Sequence, residues 1–405
     1  MFGYRPVNFF VIACFSLWIS AWAVDFNIST QIGQEVRNIP MNVGAPEPMM
    51  VQQQLWEHNI LAQAYEEYMW SNYVYARGMV TGAVQDDEGL YKASSPDFWV
   101  NELLLGYHSP SMFYWEVGKM HLRQGSGFFK RPIDWFYDGW QAVQSQSRTF
   151  NEQLAQGVRA LNLGYLFGLQ SLQAAFVLPN DDSLYTKDGL KEWSRAALYY
   201  KLQLGNWNWT LAGVYAKVKE QRQAGLSFNY GFSPMLSWHG EWAISQEKLR
   251  EFDPREKISW AQEFLLGMVW APIEGTSITM EYAYDQAGLS KKAWRDIVKE
   301  QSPGVRADSE AELWELMRSY PEFSLVRHYI MGRFWKQFSE PQFDFEIIGA
   351  INLFDRSTML GLGLAKVIDN FRINVGLRNF LGKENSEFGV IPIRYTVSTE
   401  FEVMF

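Results

Sequence analysis

Lys119, His121 and Arg123 stand at alternate positions, so an extended chain carries an imidazole between two cations on one face. Such a row could attract an anion or pass a proton. Gly125-Ser126-Gly127 follows, then Pro132 and Asp134. Glycines in this pattern let a loop fold back into a channel mouth. They do not make a phosphate cradle, because no helix starts after them. His239 and Glu241 form a second pair, an imidazole and a carboxylate sharing a face. Acid–base catalysis needs a nucleophile beside such a pair, and no serine carries that signature. The five histidines, His58, His108, His121, His239 and His328, are scattered along the chain. These residues point away from an enzyme, a metal centre or a bound cofactor.

A larger set of charges lies toward the carboxyl terminus. Asp344, Glu346, Arg372, Arg378, Arg394, Glu400 and Glu402 take the polar positions of alternating segments, and Gly361 and Gly363 leave room between them. Glu102, Lys201, Glu263, Glu281, Arg327 and Arg333 take similar positions upstream. Lining a lumen, these groups form either a charged constriction or a network of ion pairs. Both signs are mixed, so they fix neither ion selectivity nor solute.

Strands must position these residues. Apolar and polar residues alternate with period two over 25–36, 57–69, 72–84, 97–108, 112–124, 155–167, 169–178, 194–206 and 207–218. The pattern continues over 222–232, 234–245, 259–271, 275–285, 324–338, 342–354, 357–367, 370–381 and 390–405. These predict an all-β, closed antiparallel transmembrane barrel of about eighteen strands, or sixteen if two weak segments near the amino terminus are loops. Connections alternate in length. Phe167-Gly168, Gly205-Asn206, Ser233-Pro234 and Ile368-Asp369-Asn370 are short and built from turn residues, whereas 125–154, 179–193 and 286–323 are long. In 286–323 Ser290 caps Lys291–Glu300, and Ser309 with Glu312 opens a second helix. This helical extracellular loop could act as a lid or plug.

Parity puts Leu198, Tyr200, Leu202 and Leu204 on the lipid face. It does the same for Leu236, Trp238, Trp242 and Ile244, for Phe264, Leu266, Met268 and Trp270, and for Phe371, Ile373, Val375 and Leu377. Trp207, Trp209, Trp238, Trp242 and Trp270 fall where an aromatic belt sits. The chain is 16% aromatic at a mean hydropathy of −0.22, a combination that alternating strands produce and helical spans do not. A net charge of −9 argues against nucleic acid as a partner.

Arg5 precedes an apolar run from Val7 to Ala23 that ends in Ala21-Trp22-Ala23, an export signal leaving 24–405 as one barrel. Cys14, the only cysteine, lies inside it, so the mature chain has no thiol chemistry. The final strand sets Ile393, Tyr395, Val397, Thr399, Phe401, Val403 and Phe405 against polar neighbours. It resembles the closing strand of Gram-negative outer-membrane β-barrels. That resemblance implies that Tyr395, Phe401, Val403 and Phe405 are the assembly signal read by the barrel-insertion machinery. Val117–Asp134 further resembles the G-K-x(4)-Q-G-x-G…P-x-D pattern of porin-like and alginate-export-like barrels. Alginate exporters line their channel with excess Arg and Lys, and this chain does not. The implied setting is the outer membrane, among bilayer lipid and lipopolysaccharide, with a periplasmic partner also conceivable. The implied role is a passive channel for small hydrophilic or amphipathic solutes. An export barrel for a polymer and a scaffold sheathing a partner protein are the alternatives.

Overall fold

The computed structural model describes residues 25–41, 49–87, 97–136, 157–178, 194–216, 221–246, 260–286, 288, 290–292, 294–295, 326–339, 342–369, 371–383, 386–390 and 393–404. The export signal, the second helix predicted in 286–323 and Phe405 lie outside these residues. The first half of the chain forms β1 (Asp25–Met41), β2 (Met49–Met69), β3 (Val74–Asp87), β4 (Asp97–His108), β5 (Phe113–Met120), β6 (Val158–Phe167), β7 (Gln170–Val177), β8 (Arg195–Leu204) and β9 (Trp207–Ala216). The second half forms β10 (Gln221–Ser233), β11 (Leu236–Ser245), β12 (Ala261–Trp270), β13 (Thr276–Asp285), β14 (His328–Phe338), β15 (Phe343–Asn352), β16 (Thr358–Ile368), β17 (Phe371–Leu381) and β18 (Ile393–Met404).

All pairings are antiparallel, each strand with its sequence neighbour, in one sheet. Side chains are described over part or all of seventeen strands, β2 to β18, those of β1 and most of β2 lying outside the description. β1 pairs with β2 on one edge and with β18 on the other, Asn27 opposite Met404 and Val36 opposite Tyr395. Among the described residues helix is scarce: a single turn at Glu387–Val390, and helical residues from Lys291, where the Trp294 amide donates to the Ser290 carbonyl at 2.9 Å.

The period-two pattern sorts the two faces. On β13 Thr279, Glu281, Ala283 and Asp285 are buried on one face while Met280, on the other, is 48% exposed. The outer face carries a row of exposed Leu198, Leu204, Trp238, Trp242, Leu266, Trp270, Phe371, Val375 and Leu377, as parity predicts. No described helix is long and apolar enough to cross a membrane, which bears on helices alone. Aromatics gather where the sheet ends in short turns: Trp207 stacks on Tyr230 at 4.3 Å and on Trp209 at 5.3 Å, and Phe338 on Phe343 at 4.2 Å. Gly168 and Gly205 take φ of 64° and 58° in these turns, the left-handed geometry that two-residue hairpins require.

One strand is shorter than its pattern. The alternation predicted 112–124, yet β5 stops at Met120. Gly118, at φ 140°, lies against the backbone of Leu103 and Leu104, and from His121 the chain leaves the sheet. Lys119, His121 and Arg123 therefore do not share a strand face. Nor is the whole of 125–154 an external loop: residues 121–136 turn onto the inner face of the sheet.

Candidate functional site

Residues 121–136 are the centre of the site. Two carboxylates from distant strands collect the backbone amides at its tip. The Ser126 N–H donates to Glu241 Oε1, as does Gly127 N–H at 2.7 Å, and Ile133 N–H reaches Oε2 at 3.2 Å. Phe128 and Phe129 donate to the two oxygens of Glu281 at 2.6 and 2.9 Å, and His239 Nε2 touches the same carboxylate at 2.7 Å. Both glutamates are 2% exposed. A buried carboxylate is costly unless its lone pairs are filled; here consecutive N–H groups fill them. Gly127 is required by space, since a Cβ there would meet the Lys130 carbonyl and the Leu265 side chain.

Side chains lock the rest of the segment. Lys130, 6% exposed, donates from Nζ to Asp285 Oδ2 at 2.8 Å and lies 3.4 Å from Glu263. Ser126 Oγ meets Ser227 Oγ at 3.1 Å on β10. Leu122 and Phe136, with Trp135 against them, join Ala160, Ala175, Val177, Ala197, Tyr199, Ala212 and Val214 in an apolar cluster on β6 to β9. The small residues of those strands make the bay into which the segment fits.

A polar ladder leads from one edge of the sheet to the segment's base. Tyr75 OH and Asn162 Nδ2 donate to the two oxygens of Glu116 at 2.6 and 2.7 Å. Gln173 donates to Asn162 at 2.9 Å, and Gln124 to Gln173 at 3.1 Å. Asp134 then accepts the Gln124 N–H at 3.2 Å. Burial pushes the Asp134 carboxyl up to about 7 despite Arg131, 3.8 Å away. Burial, with the charges of Arg123 and Lys119, holds His121 down at about 4, so its ring is neutral at pH 7.

The predicted charges divide between two regions. His239 and Glu241 sit under the segment, where Glu241 holds backbone N–H groups and the Ser126 hydroxyl at 3.2 Å. Lys119 is buried, His121 half-buried and Arg123 exposed. On β14 to β17 the groups pair among themselves: Arg333 with Glu346, and Arg372 with Asp344 at 3.7 Å. Arg333 also stacks over the Phe128 ring at 4.8 Å, which ties the segment's tip to this wall. Arg378 is half-buried and stands opposite Gly361, and the Glu346 carboxylate lies 3.7 Å from where a Cβ of Gly363 would be. The side chains of Arg394, Glu400, Phe401, Glu402 and Val403 lie outside the described residues. Sequence reasoning did not single out Lys130, Asp285, Glu116 or the anchoring role of Glu281. Their only signals were alternation and the glycine pattern. Among the described residues no His, Cys, Asp or Glu group has metal-site geometry.

No protein family and no curated protein matches the chain in sequence. Solved structures match its fold. OccAB3 of Acinetobacter baumannii superposes with a TM-score of 0.55 at 12% identity, covering 95% of this chain and 99% of that one. OprD of Pseudomonas aeruginosa gives 0.51 at 11% identity, covering 95% of each chain. OpdK of the same organism, solved with vanillate, gives 0.55 at 8% identity over 95% and 98%. These neighbours are outer-membrane porins, channels rather than enzymes, and this chain shares their all-β antiparallel fold. None of them supports a polymer exporter or a sheath for a partner protein.

Proposed function

We propose that the chain is a closed eighteen-stranded barrel of the Gram-negative outer membrane that passes small hydrophilic or amphipathic solutes. The observation that carries this reading is the segment 121–136, seated inside the sheet on Glu241 and Glu281. A polar segment fixed against one wall narrows a lumen without filling it. The β1–β18 ladder supports closure, because it leaves no strand edge to be satisfied in lipid. The exposed apolar outer row and the aromatics at the turn end support the membrane setting. The solute path then runs along β14 to β17, where Asp344, Glu346, Arg333, Arg372 and Arg378 provide a wall of mixed sign. Arg394, Glu400 and Glu402 on β18 extend that wall, and Lys119, His121 and Arg123 mark the base of the constriction.

Purified protein reconstituted in a planar bilayer is expected to give discrete conductance steps, and vanillate, found in one neighbour, is the first solute to add. Folded protein that conducts under no condition defeats the proposal. Within the same reading Tyr395, Phe401, Val403 and Phe405 act as the assembly signal. Phe405→Ser is then expected to lower outer-membrane yield more than Phe371→Ser does.

A further inference from the structure

The inner face carries a second polar centre, at the short-turn end of β3 to β6 and apart from the clamp on 126–129. Glu116 is its core. Tyr75 OH and Asn162 Nδ2 donate to its two oxygens at 2.6 and 2.7 Å, and both donors are neutral groups. Among the described residues neither oxygen meets a Lys or Arg. Arg77, on the same face of β3 as Tyr75, is turned to Glu67 at 3.0 Å. The carboxylate is therefore held in a fixed orientation without a cationic partner, and it is only half-buried.

Aromatic rings stand around it. Tyr114 precedes Glu116 on the same face of β5 and is half-buried as well. His108, exposed at the end of β4, has its ring 5.4 Å from that of Tyr114 and 5.3 Å from that of Tyr75. Its Nε2 lies 3.3 Å from Tyr75 OH, which fixes the ring's tilt. The neighbouring strands leave room for the tyrosines. A Cβ at Gly106 would strike the Tyr75 ring, and one at Gly164 the Tyr114 ring, so both rings lie back against the sheet.

We infer that this centre binds an organic cation with a trimethylammonium head, charge against Glu116 and methyl groups against the Tyr114 and His108 rings. The surroundings choose this class over a bare metal ion. A hard cation asks for several oxygen ligands, whereas Tyr75 and Asn162 turn donors toward the carboxylate and Asn162 Oδ1 is taken by Gln173 at 2.9 Å. A weakly hydrated cation is satisfied by one carboxylate and ring faces. The site needs only the inner-face placement of these residues, whatever passes through the lumen.

The test is equilibrium dialysis of radiolabelled choline against the folded full chain in detergent, with dimethylbutanol, its uncharged carbon isostere, as competitor. Wild type is expected to bind choline saturably, and the isostere to compete about tenfold more weakly than unlabelled choline. Glu116→Gln keeps the shape and should lower affinity about tenfold, and Tyr114→Leu about fivefold. Glu274→Gln removes an exposed carboxylate in a short turn and should change nothing. Should Glu116→Gln not fold, judged by loss of heat-modifiable migration, Tyr114→Leu and the isostere decide. No saturable binding by wild type, equal competition by the isostere, or wild-type affinity in either folded site variant overturns the site, as does an equal loss in Glu274→Gln. Dialysis reads no current, so failure of the channel reading and failure of this site are distinct results.

Discussion

Two walls of the same sheet use the same residue types for different ends. Under the segment 121–136, Glu241, Glu281 and Asp285 are all 2% exposed, and their oxygens are taken up by backbone N–H groups and one buried lysine. On β14 to β17, Asp344 and Glu346 keep about a fifth of their side-chain surface exposed and face guanidinium groups. The contrast separates a carboxylate that builds from one that lines. Backbone amides cannot leave the first kind without unseating a segment, whereas guanidinium partners of the second can swing and exchange with water.

The sharpest way to break this comparison is Glu241→Ala. It strands the amides of Ser126, Gly127 and Ile133, at about 1–3 kcal/mol each where they remain buried. The sheet is expected to keep its heat-modifiable migration, while the segment becomes cleavable by trypsin after Lys130, the Arg131–Pro132 bond being resistant, and on the proposed channel reading single-channel current turns noisy. A quiet, protease-resistant variant removes Glu241 from the anchoring role. Lys130→Met should come next, since an uncompensated Asp285 beside Glu263 costs about 3–5 kcal/mol. Its signature is the same noisy current at a smaller amplitude, since the substitution itself removes the trypsin site.

Substitutions on the other wall should do the reverse. Arg372→Gln is expected to alter stability by no more than about 1 kcal/mol, because its pair with Asp344 is partly exposed. It should instead shift the reversal potential in a salt gradient toward cation preference. Unchanged selectivity combined with a protease-sensitive segment contradicts the division between the walls. The smallest effect concerns Asp134. Its carboxyl is raised from 3.8 to about 7 by burial, so the seated segment holds a proton that the released one loses. Seating is then favoured fully below about pH 4 and weakens as pH rises through 7. Measured at each pH relative to an unstructured trypsin substrate, cleavage after Lys130 should rise more between pH 5.5 and pH 8 in wild type than in Asp134→Asn.

Much of this architecture is legible in the sequence because a strand states its own period. β4 occupies Asp97–His108, as its alternation predicts, and the short turns at Gly168 and Gly205 fall where turn residues cluster. The end of β5 is not legible. Leu122 and Gln124 continue the alternation past Met120, and only Gly118 hints that the chain is about to leave the sheet. The seat is less legible still. Glu241 is 115 residues from Ser126, and Glu281 is 153 from Phe128. Contacts of that range leave no local periodicity to read. His239 with Glu241, and Gly125-Ser126-Gly127, each stand out as motifs; nothing in one dimension joins them.

The clamp on 126–129 grips main chain. Its N–H donors belong to any residue but proline, so the amide clamp itself asks only for Gly127, and the Ser126 hydroxyl on Ser227 and the Phe128 ring under Arg333 are additions to it. Evolution, or an engineer, can therefore exchange the displayed side chains while the mounting stays fixed. On the proposed channel reading, a lineage of such chains could diverge in solute preference by point mutation at the tip.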